Sequence, residues 1–191
     1  MTDVGHERCE RCLFQRRVCL CAEIPRVANR TRVVIVRHHL ERHRSSNSGR
    51  LAAMALADCA VINHGGALGP AVLPALDGAW LVYPQGNAVV PAEPPRQLVF
   101  LDATWSQARR MYRKLDGLRG LPILALAVAT PAPRLRESPA PGFVSTIEAI
   151  AAALRMFDGD DIADPLLRLF HTAVDRAEMT GRMVNDPGRV R

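Results

Sequence analysis

One stretch of the chain restricts its possible folds more than any other: an unbroken apolar segment leads directly into an amphipathic helix. Residues 98–102 (LVFLD) predict a strand buried on both faces, and residues 104–115 (TWSQARRMYRKL) place their apolar side chains on one helical face. Further strands are predicted at residues 32–38, 60–63, 80–84 and 121–128, and further helices at residues 49–59, 145–157 and 165–179. Apolar strands that alternate with helices predict an α/β fold, with a mostly parallel sheet and helices on both faces.

Positive charge is concentrated in the first quarter of the chain. Residues 1–50 contain eleven Arg and five Asp or Glu, a balance of +6, whereas residues 51–191 contain fourteen residues of each sign. This asymmetry is typical of a surface that contacts nucleic-acid phosphates, although a solvated basic arm would have the same composition. No run approaches the roughly 20 apolar residues that span a bilayer. Because the N-terminus is polar and charged, unlike a signal peptide, we expect a cytoplasmic protein.

Four of the five cysteines lie close together near the start of the chain. Cys9, Cys12, Cys19 and Cys21 are spaced C-x2-C-x6-C-x-C, which suits tetrahedral zinc because each pair can chelate from one turn. Zinc with four thiolate ligands has no open position, so the predicted role is structural. The alternatives are an iron–sulfur cluster and four unrelated thiols. We therefore expect residues 1–30 to form a small zinc-binding segment.

Asp102 ends the strand at 98–102, at the edge where parallel α/β sheets bind their ligands. Its carboxylate could simply cap the following helix, and the residues alone favour this interpretation. It could instead accept a proton from a weakly acidic nucleophile. Trp105, judged by its helical face alone, is an ordinary core residue.

The run Asp102-Ala103-Thr104-Trp105 resembles the D-x-[ST]-W signature of the DTW-domain family. Other segments resemble motifs of this family in the same order over about residues 9–150. These are the four cysteines, the stretch His38 to Leu51, Val82-Tyr83-Pro84, Gln107 to Met111, Leu121-Pro122, and Ser145-Thr146-x-Glu148-Ala149. Ser48 stands where the family more often has Thr, which preserves the hydroxyl. Each motif is weak alone, and the ordered set is specific.

The resemblance implies a SPOUT-like α/β fold, related to knotted RNA methyltransferases, so a knotted main chain is expected. The implied activity is transfer of the 3-amino-3-carboxypropyl group from S-adenosylmethionine to N3 of a uridine in tRNA, with release of methylthioadenosine. A methyltransferase on the same scaffold is one alternative, and it would release adenosylhomocysteine instead. A zinc-bearing RNA-binding protein without catalysis is the other.

The resemblance also implies roles for individual residues. Asp102 is the expected catalytic residue, acting as a base or positioning the substrates. The residues expected to line the cofactor pocket are Ser48, Gly49, Pro84, Leu101, Thr104, Trp105, Pro122, Ser145 and Thr146. The expected domain organisation is the zinc segment 1–30, a catalytic domain 31–180 and a mobile tail 181–191.

Nine arginines are expected to bind tRNA phosphates. They are Arg8, Arg11, Arg16, Arg17, Arg44, Arg50, Arg109, Arg110 and Arg113. For the three arginines of the 104–115 helix, a solvated helix face is an equally good interpretation.

Overall fold

The computed structural model describes residues 7–84, 91–126, 135 and 144–181. The strands are β1 (Arg32–His38), β2 (Cys59–His64), β3 (Ala79–Val82), β4 (Gln97–Asp102) and β5 (Ile123–Leu124), and the α-helices are α1 (Ser48–Ala55), α2 (Trp105–Lys114), α3 (Thr146–Phe157) and α4 (Asp160–Glu178). The strands form one sheet in the order β2-β1-β4-β3-β5, and every pairing is parallel. The predicted α/β fold with a parallel sheet is confirmed.

Both faces of the sheet are covered, which explains why its strands are unbroken apolar runs. Val33 and Ile35 of β1 point toward α1, α3 and α4, where they join the larger core cluster. Val34 and Val36, their neighbours in the same strand, point the other way and pack with α2. All four valine and isoleucine side chains are completely buried.

The N-terminal segment packs into the larger core. Cys12, Phe14, Val18 and Leu20 are buried in the same cluster as the inner faces of α3 and α4. Val27 also exchanges backbone hydrogen bonds with residues 55 and 57, at the end of α1, at 2.8 and 2.9 Å. The segment therefore shares its hydrophobic core with the sheet domain, and the boundary at residue 30 stays a prediction.

Three elements differ from the prediction. Helix α1 ends at Ala55, four residues before the predicted end, and Cys59 begins strand β2. Helix α4 begins at Asp160, five residues before the predicted start at Pro165, and the proline lies inside the helix. Gly159 precedes the helix with a φ of 100°. Two aspartates occupy the first turn, where their negative charges interact favourably with the positive end of the helix dipole. Strand β5 spans only residues 123–124 of the predicted 121–128, of which residues 127 and 128 lie outside the described residues.

The expected knot stays a prediction, because the chain between β5 and α3 runs mainly through residues 127–134 and 136–143, which lie outside the described residues. The expected mobile tail lies outside them too, apart from Gly181. Within the described ranges, no helix combines the length and the apolar character that crossing a membrane requires.

Candidate cofactor cleft and metal centre

A cleft of about 750 Å³, counting space open to solvent, lies at the carboxyl ends of β3 and β4, between the N-terminal ends of α2 and α3. Parallel sheets bind their ligands at this edge. The described residues that line the cleft are Val82, Tyr83, Pro84, Phe100, Leu101, Ala103, Trp105, Ala108, Leu126, Val144, Thr146 and Ala149. The wall is thus mostly apolar, with few polar groups.

One wall of the cleft is aromatic. The ring of Tyr83 stacks on that of Tyr112, with centroids 5.0 Å apart, and the Trp105 ring lies 6.3 Å from Tyr83. The Tyr83 hydroxyl oxygen is buried and has no hydrogen-bond partner within the described structure. Burial also raises the pKa of Tyr83, so the hydroxyl keeps its proton at neutral pH. Since a buried unpaired polar group costs about 1–3 kcal/mol, this hydroxyl is a candidate donor to a bound ligand.

Asp102 joins three elements at the inner end of the site. Its side chain is 2% exposed, and each carboxylate oxygen accepts one hydrogen bond. The Asn47 amide donates to Oδ2 over 2.6 Å, and the Thr146 hydroxyl donates to Oδ1 over 2.8 Å. Asn47 is the N-cap of α1, and its own Oδ1 accepts from the backbone N–H of Arg50. One carboxylate therefore fixes the first turns of α1 and α3 against the end of β4.

The interpretation of Asp102 as the cap of the next helix is wrong. Thr104 is the N-cap of α2, and its backbone N–H donates the return hydrogen bond to Gln107 Oε1 at 2.9 Å. Residues of a strand alternate between faces, and Asp102 follows Phe100 on the side of α1 and α3. Its carboxylate consequently points away from α2 and from Trp105.

The surroundings of Asp102 resist its ionisation. Burial raises the pKa of Asp102, against the hydrogen bonds from Asn47 and Thr146, which lower it. The nearby carboxylate of Glu41 raises the pKa further, whereas the guanidinium of Arg37 lowers it. Arg37 lies opposite Asp102 in the pairing of β1 with β4. The carboxyl group is thus a stronger base than an exposed aspartate.

Four of the predicted cofactor residues line the cleft: Pro84, Leu101, Trp105 and Thr146. Thr146 also donates to Asp102, which is not itself among the lining residues. The cleft and the buried carboxylate are therefore connected through one threonine hydroxyl. The assignment of these residues to a cofactor stays a prediction.

The other five predicted cofactor residues are not among the described lining residues, and they support the walls instead. Thr104 and Ser145 cap α2 and α3. The Ser48 hydroxyl accepts from the N–H of Ile147 at 3.4 Å, and the Pro122 carbonyl accepts from Leu81 at 2.9 Å. Gly49, also predicted, packs against the carboxylate of Asp102.

The sequence prediction omitted eight of the twelve described residues that line the cleft. The omitted lining residues are Val82, Tyr83, Phe100, Ala103, Ala108, Leu126, Val144 and Ala149. Of these, Tyr83 carried a usable signal, since it belongs to the Tyr-Pro motif that ends β3. Ala149 carried another, because it lies one helical turn beyond Thr146 and shares its face.

The four N-terminal cysteines converge on one point. Their Sγ atoms all lie within 4.8 Å of one another, with Cys9 and Cys21 at 3.5 Å and Cys12 and Cys19 at 3.7 Å. A tetrahedron with Zn–S bonds of about 2.3 Å has S–S edges of about 3.8 Å, so the four thiols fit zinc. Leu13, directly after the first cysteine pair, has a φ of +63°, which closes the tight turn that a chelating pair needs.

The predicted RNA-binding arginines are exposed except Arg50, which is partly buried. Its guanidinium donates to the backbone carbonyls of Arg11 and Arg42, so it ties the cysteine segment to α1. Arg16 forms an exposed ion pair with Glu7 at 3.1 Å, a contact of small energy that phosphate can displace. RNA binding by the nine arginines stays a prediction.

The fold and the cleft define an α/β protein with a ligand cleft at the carboxyl edge of a parallel sheet and a four-thiol centre capable of holding a metal. The DTW domain model matches residues 6–178, and the chain belongs to the DTW domain family. A protein of Drosophila melanogaster named tRNA-uridine aminocarboxypropyltransferase 2 is 27% identical over 184 residues, which cover 86% of this chain and 72% of that protein. The solved structure of the SAM-dependent rRNA:acp-transferase Tsr3 from Vulcanisaeta distributa aligns over 80% of both chains, with a TM-score of 0.48 and 18% identity.

Proposed function

We propose that this protein is a tRNA-uridine aminocarboxypropyltransferase that uses S-adenosylmethionine. The observation that carries the proposal is the cleft at the carboxyl edge, one wall of which holds a threonine hydroxyl bonded to the buried carboxylate of Asp102. Membership of the DTW family supports the reaction class. The name of the Drosophila relative supports uridine in tRNA as the acceptor.

The cleft suits an amphipathic nucleoside. Trp105 and Tyr83 offer flat apolar surface to a purine ring, and such contacts dominate the binding of aromatic ligands. The Tyr83 hydroxyl, which has no partner in the described structure, can donate to a polar atom of the ligand. The buried carboxylate of Asp102 favours a cation nearby, because charges interact strongly away from water.

S-adenosylmethionine, when bound, supplies an electrophilic γ-carbon attached to a sulfonium leaving group. The walls of the cleft must place this carbon, rather than the methyl group, in line with the attacking atom, since geometry alone selects the transferred group. N3 of uridine becomes a competent nucleophile only when its proton leaves. We assign the removal of that proton to Asp102, through the hydroxyl of Thr146, because only the threonine of the pair lines the cleft.

N3 lies on the Watson–Crick edge of the base, so the target uridine must be unpaired or turned out of its stack. In this proposal the exposed arginines of residues 8–17, held in place by a structural zinc site, bind tRNA phosphates together with Arg109, Arg110 and Arg113 of α2. Cys9, Cys12, Cys19 and Cys21 are the zinc ligands, and a closed four-thiolate site takes no part in the transfer.

The experiment that tests the proposal is incubation of the protein with unmodified tRNA and S-adenosylmethionine, followed by mass spectrometry of the nucleosides and of the by-product. The proposal predicts uridine that carries the 3-amino-3-carboxypropyl group, together with methylthioadenosine. Methylated nucleosides with adenosylhomocysteine would assign the chain to the methyltransferases. Tight, salt-dependent tRNA binding without saturable S-adenosylmethionine binding would make it an RNA-binding protein without catalysis.

A further inference from the structure

Three histidines meet at the carboxyl ends of β1 and β2, on the same edge of the sheet as the cleft. His38 and His64 are opposite each other in the pairing of the two strands, and their ring centroids lie 6.3 Å apart. His39 follows directly, with its ring 4.6 Å from that of His38. All three rings are partly exposed. None of the three belongs to the cleft or to the cysteine centre.

The backbone fixes which nitrogen of two of these rings carries the proton. The N–H of Leu40 donates to Nδ1 of His38 at 3.3 Å, and the N–H of Ala71 donates to Nδ1 of His64 at 3.2 Å. A ring nitrogen that accepts a hydrogen bond carries no proton, so each neutral ring must hold its proton on Nε2. Burial, followed by the neighbouring histidines, lowers the pKa of both rings, which keeps them neutral at physiological pH.

The turn after β2 holds the third ring in place. Gly65 and Gly66 have φ values of +90° and +62°, and a Cβ on Gly66 would lie 2.7 Å from Nδ1 of His39. The turn can pack this closely against the ring only because both residues are glycine. The cluster is therefore a built arrangement and not a chance grouping of exposed side chains.

This protonation pattern determines what the cluster can bind. A histidine that ligates a metal through Nε2 needs its proton on Nδ1, where these rings accept a hydrogen bond instead. His38 and His64 thus present a pair of N–H donors, and their partner must be a hydrogen-bond acceptor such as an oxygen atom.

The position of the cluster relative to Asp102 suggests the source of that oxygen. Arg37 is opposite Asp102 in the sheet, so His38 lies one residue further on the adjacent strand and His64 one strand beyond it. Two strand spacings separate the backbones by about 10 Å. The rings of His38 and His64 lie on the opposite face of the sheet from the Asp102 carboxylate, because they continue the alternation of Val34 and Val36. A nucleotide that contacts both sites must therefore extend across the carboxyl edge of the sheet. The half-buried guanidinium of Arg37, which donates to the Asn63 side chain, adds positive charge on the Asp102 side of this edge.

We propose that His38, His39 and His64 form the acceptor-RNA site, where the Nε2–H groups of His38 and His64 bind an oxygen of the target nucleotide, either a uracil carbonyl or an adjacent phosphate. This inference rests on the proposed function, since it names where the RNA substrate of the cleft lies. It assigns to the histidine cluster the recognition of the nucleotide and to the cleft the recognition of S-adenosylmethionine.

The test uses substitutions that distinguish the role of Nδ1 as an acceptor from the role of Nε2 as a donor. Asparagine keeps an acceptor near the position of Nδ1 and removes the Nε2 donor, so His38→Asn and His64→Asn preserve the bond from the backbone. Glutamine places an amide N–H near the position of Nε2, and His64→Gln is the matched control. Affinity for unmodified tRNA and affinity for S-adenosylmethionine are each measured by direct binding.

We expect each Asn variant to bind tRNA about five- to tenfold more weakly, the loss typical of one hydrogen bond to a polar or charged acceptor, with unchanged affinity for S-adenosylmethionine. His64→Gln should recover part of the loss. Wild-type tRNA affinity in the double Asn variant would overturn the inference. Because the measurement is binding, a wild-type protein that binds tRNA through these histidines but transfers nothing would refute the proposed function and leave this site standing.

Nitrogen-15 NMR of the imidazole groups tests the protonation state directly. We expect the Nε2–H tautomer for His38 and His64 in the free protein, and the opposite tautomer would contradict the inference. A response of these signals to uridine would assign the donors to a uracil carbonyl, and a response to inorganic phosphate would assign them to the RNA backbone. A response to neither probe, up to its solubility limit, would overturn the proposal.

Discussion

A Cβ atom on Gly49 would lie 2.8 Å from Cγ of Asp102, closer than Cβ atoms approach other heavy atoms in proteins. Helix α1 can therefore lie against the buried carboxylate only because its second residue is glycine. Both residues were predicted for the site from their motifs, and the structure brings them into contact with each other. The glycine thus supports the position of Asp102.

Substitution of Gly49 by alanine should destabilise the protein by about 1–3 kcal/mol, the usual result of forcing a methyl group into packed surroundings. Helix propensity alone predicts the opposite sign, a gain of about 1 kcal/mol. Urea unfolding measures the difference. Gly120→Ala is the control, since no atom lies within 4 Å of its added Cβ. A more stable Gly49→Ala protein would contradict the tight contact with Asp102.

Tyr83→Phe should leave the stability of the free protein unchanged or slightly raised, because the missing hydroxyl has no partner in the described structure. If that hydroxyl donates to S-adenosylmethionine, the affinity should fall about three- to tenfold. Calorimetric titration and thermal unfolding of the same samples give both quantities. Unchanged affinity would remove Tyr83 from the ligand contacts.

The stability of the protein should depend on pH through Asp102. Burial raises the pKa of Asp102, so the folded protein favours the protonated carboxyl. The stabilisation of the folded state from this group is fully present below the ordinary aspartate pKa of about 3.9, and it is lost as the pH rises through the raised pKa. Asp102→Asn cannot ionise, and its amide can accept from Asn47 and donate to Thr146. The variant should thus be at least as stable as the wild type at neutral pH, with the difference vanishing in acid. Denaturant unfolding from acid to neutral pH measures the free energy of unfolding of both proteins. A variant much less stable than the wild type at neutral pH would contradict the prediction.

The cysteine centre should bind one zinc ion per chain and stabilise the N-terminal segment. Removal of the metal by a chelator, or Cys12→Ser, should lower the melting temperature, because Cys12, Phe14 and Leu20 of this segment belong to the main core. Cys59→Ser is the control, since burial raises the pKa of Cys59 to about 12 and keeps that thiol unreactive. Full stability of the Cys12→Ser variant without bound metal would argue against a structural zinc site.

The layered fold could be predicted because the signals for its strands and helices lie within short segments of the sequence. Strands β1 and β4 are long apolar runs, and the amphipathic pattern of α2 put Ala108 and Met111 inside and Arg109 and Arg110 outside, as the structure confirms. The helix predicted at residues 145–157 matches α3, and in the structure Ser145 and Glu148 form a capping box at its start. The predicted start of α4 at Pro165 was wrong, because the chain is already helical from Asp160, with two aspartates in the first turn.

The arrangement of the site could not be predicted, because it depends on contacts across the chain. The carboxylate of Asp102 finds its partners at Asn47 and Thr146, residues separated from it by 55 and 44 positions. Sequence motifs named the residues near the cleft but could not separate Thr146, which faces it, from Asp102, which lies behind. The histidine cluster arises only from the pairing of β1 with β2.

Single-turnover transfer by two variants tests the central claim most directly. Asp102→Asn and Thr146→Val should both fold and bind S-adenosylmethionine, and both should transfer the aminocarboxypropyl group to tRNA about 10²–10⁴-fold more slowly than the wild type. Thr146→Ser, which keeps the hydroxyl, should retain most of the rate. Near-normal transfer by Asp102→Asn would contradict the account, because the proton of N3 would then leave by a route that does not involve this carboxylate.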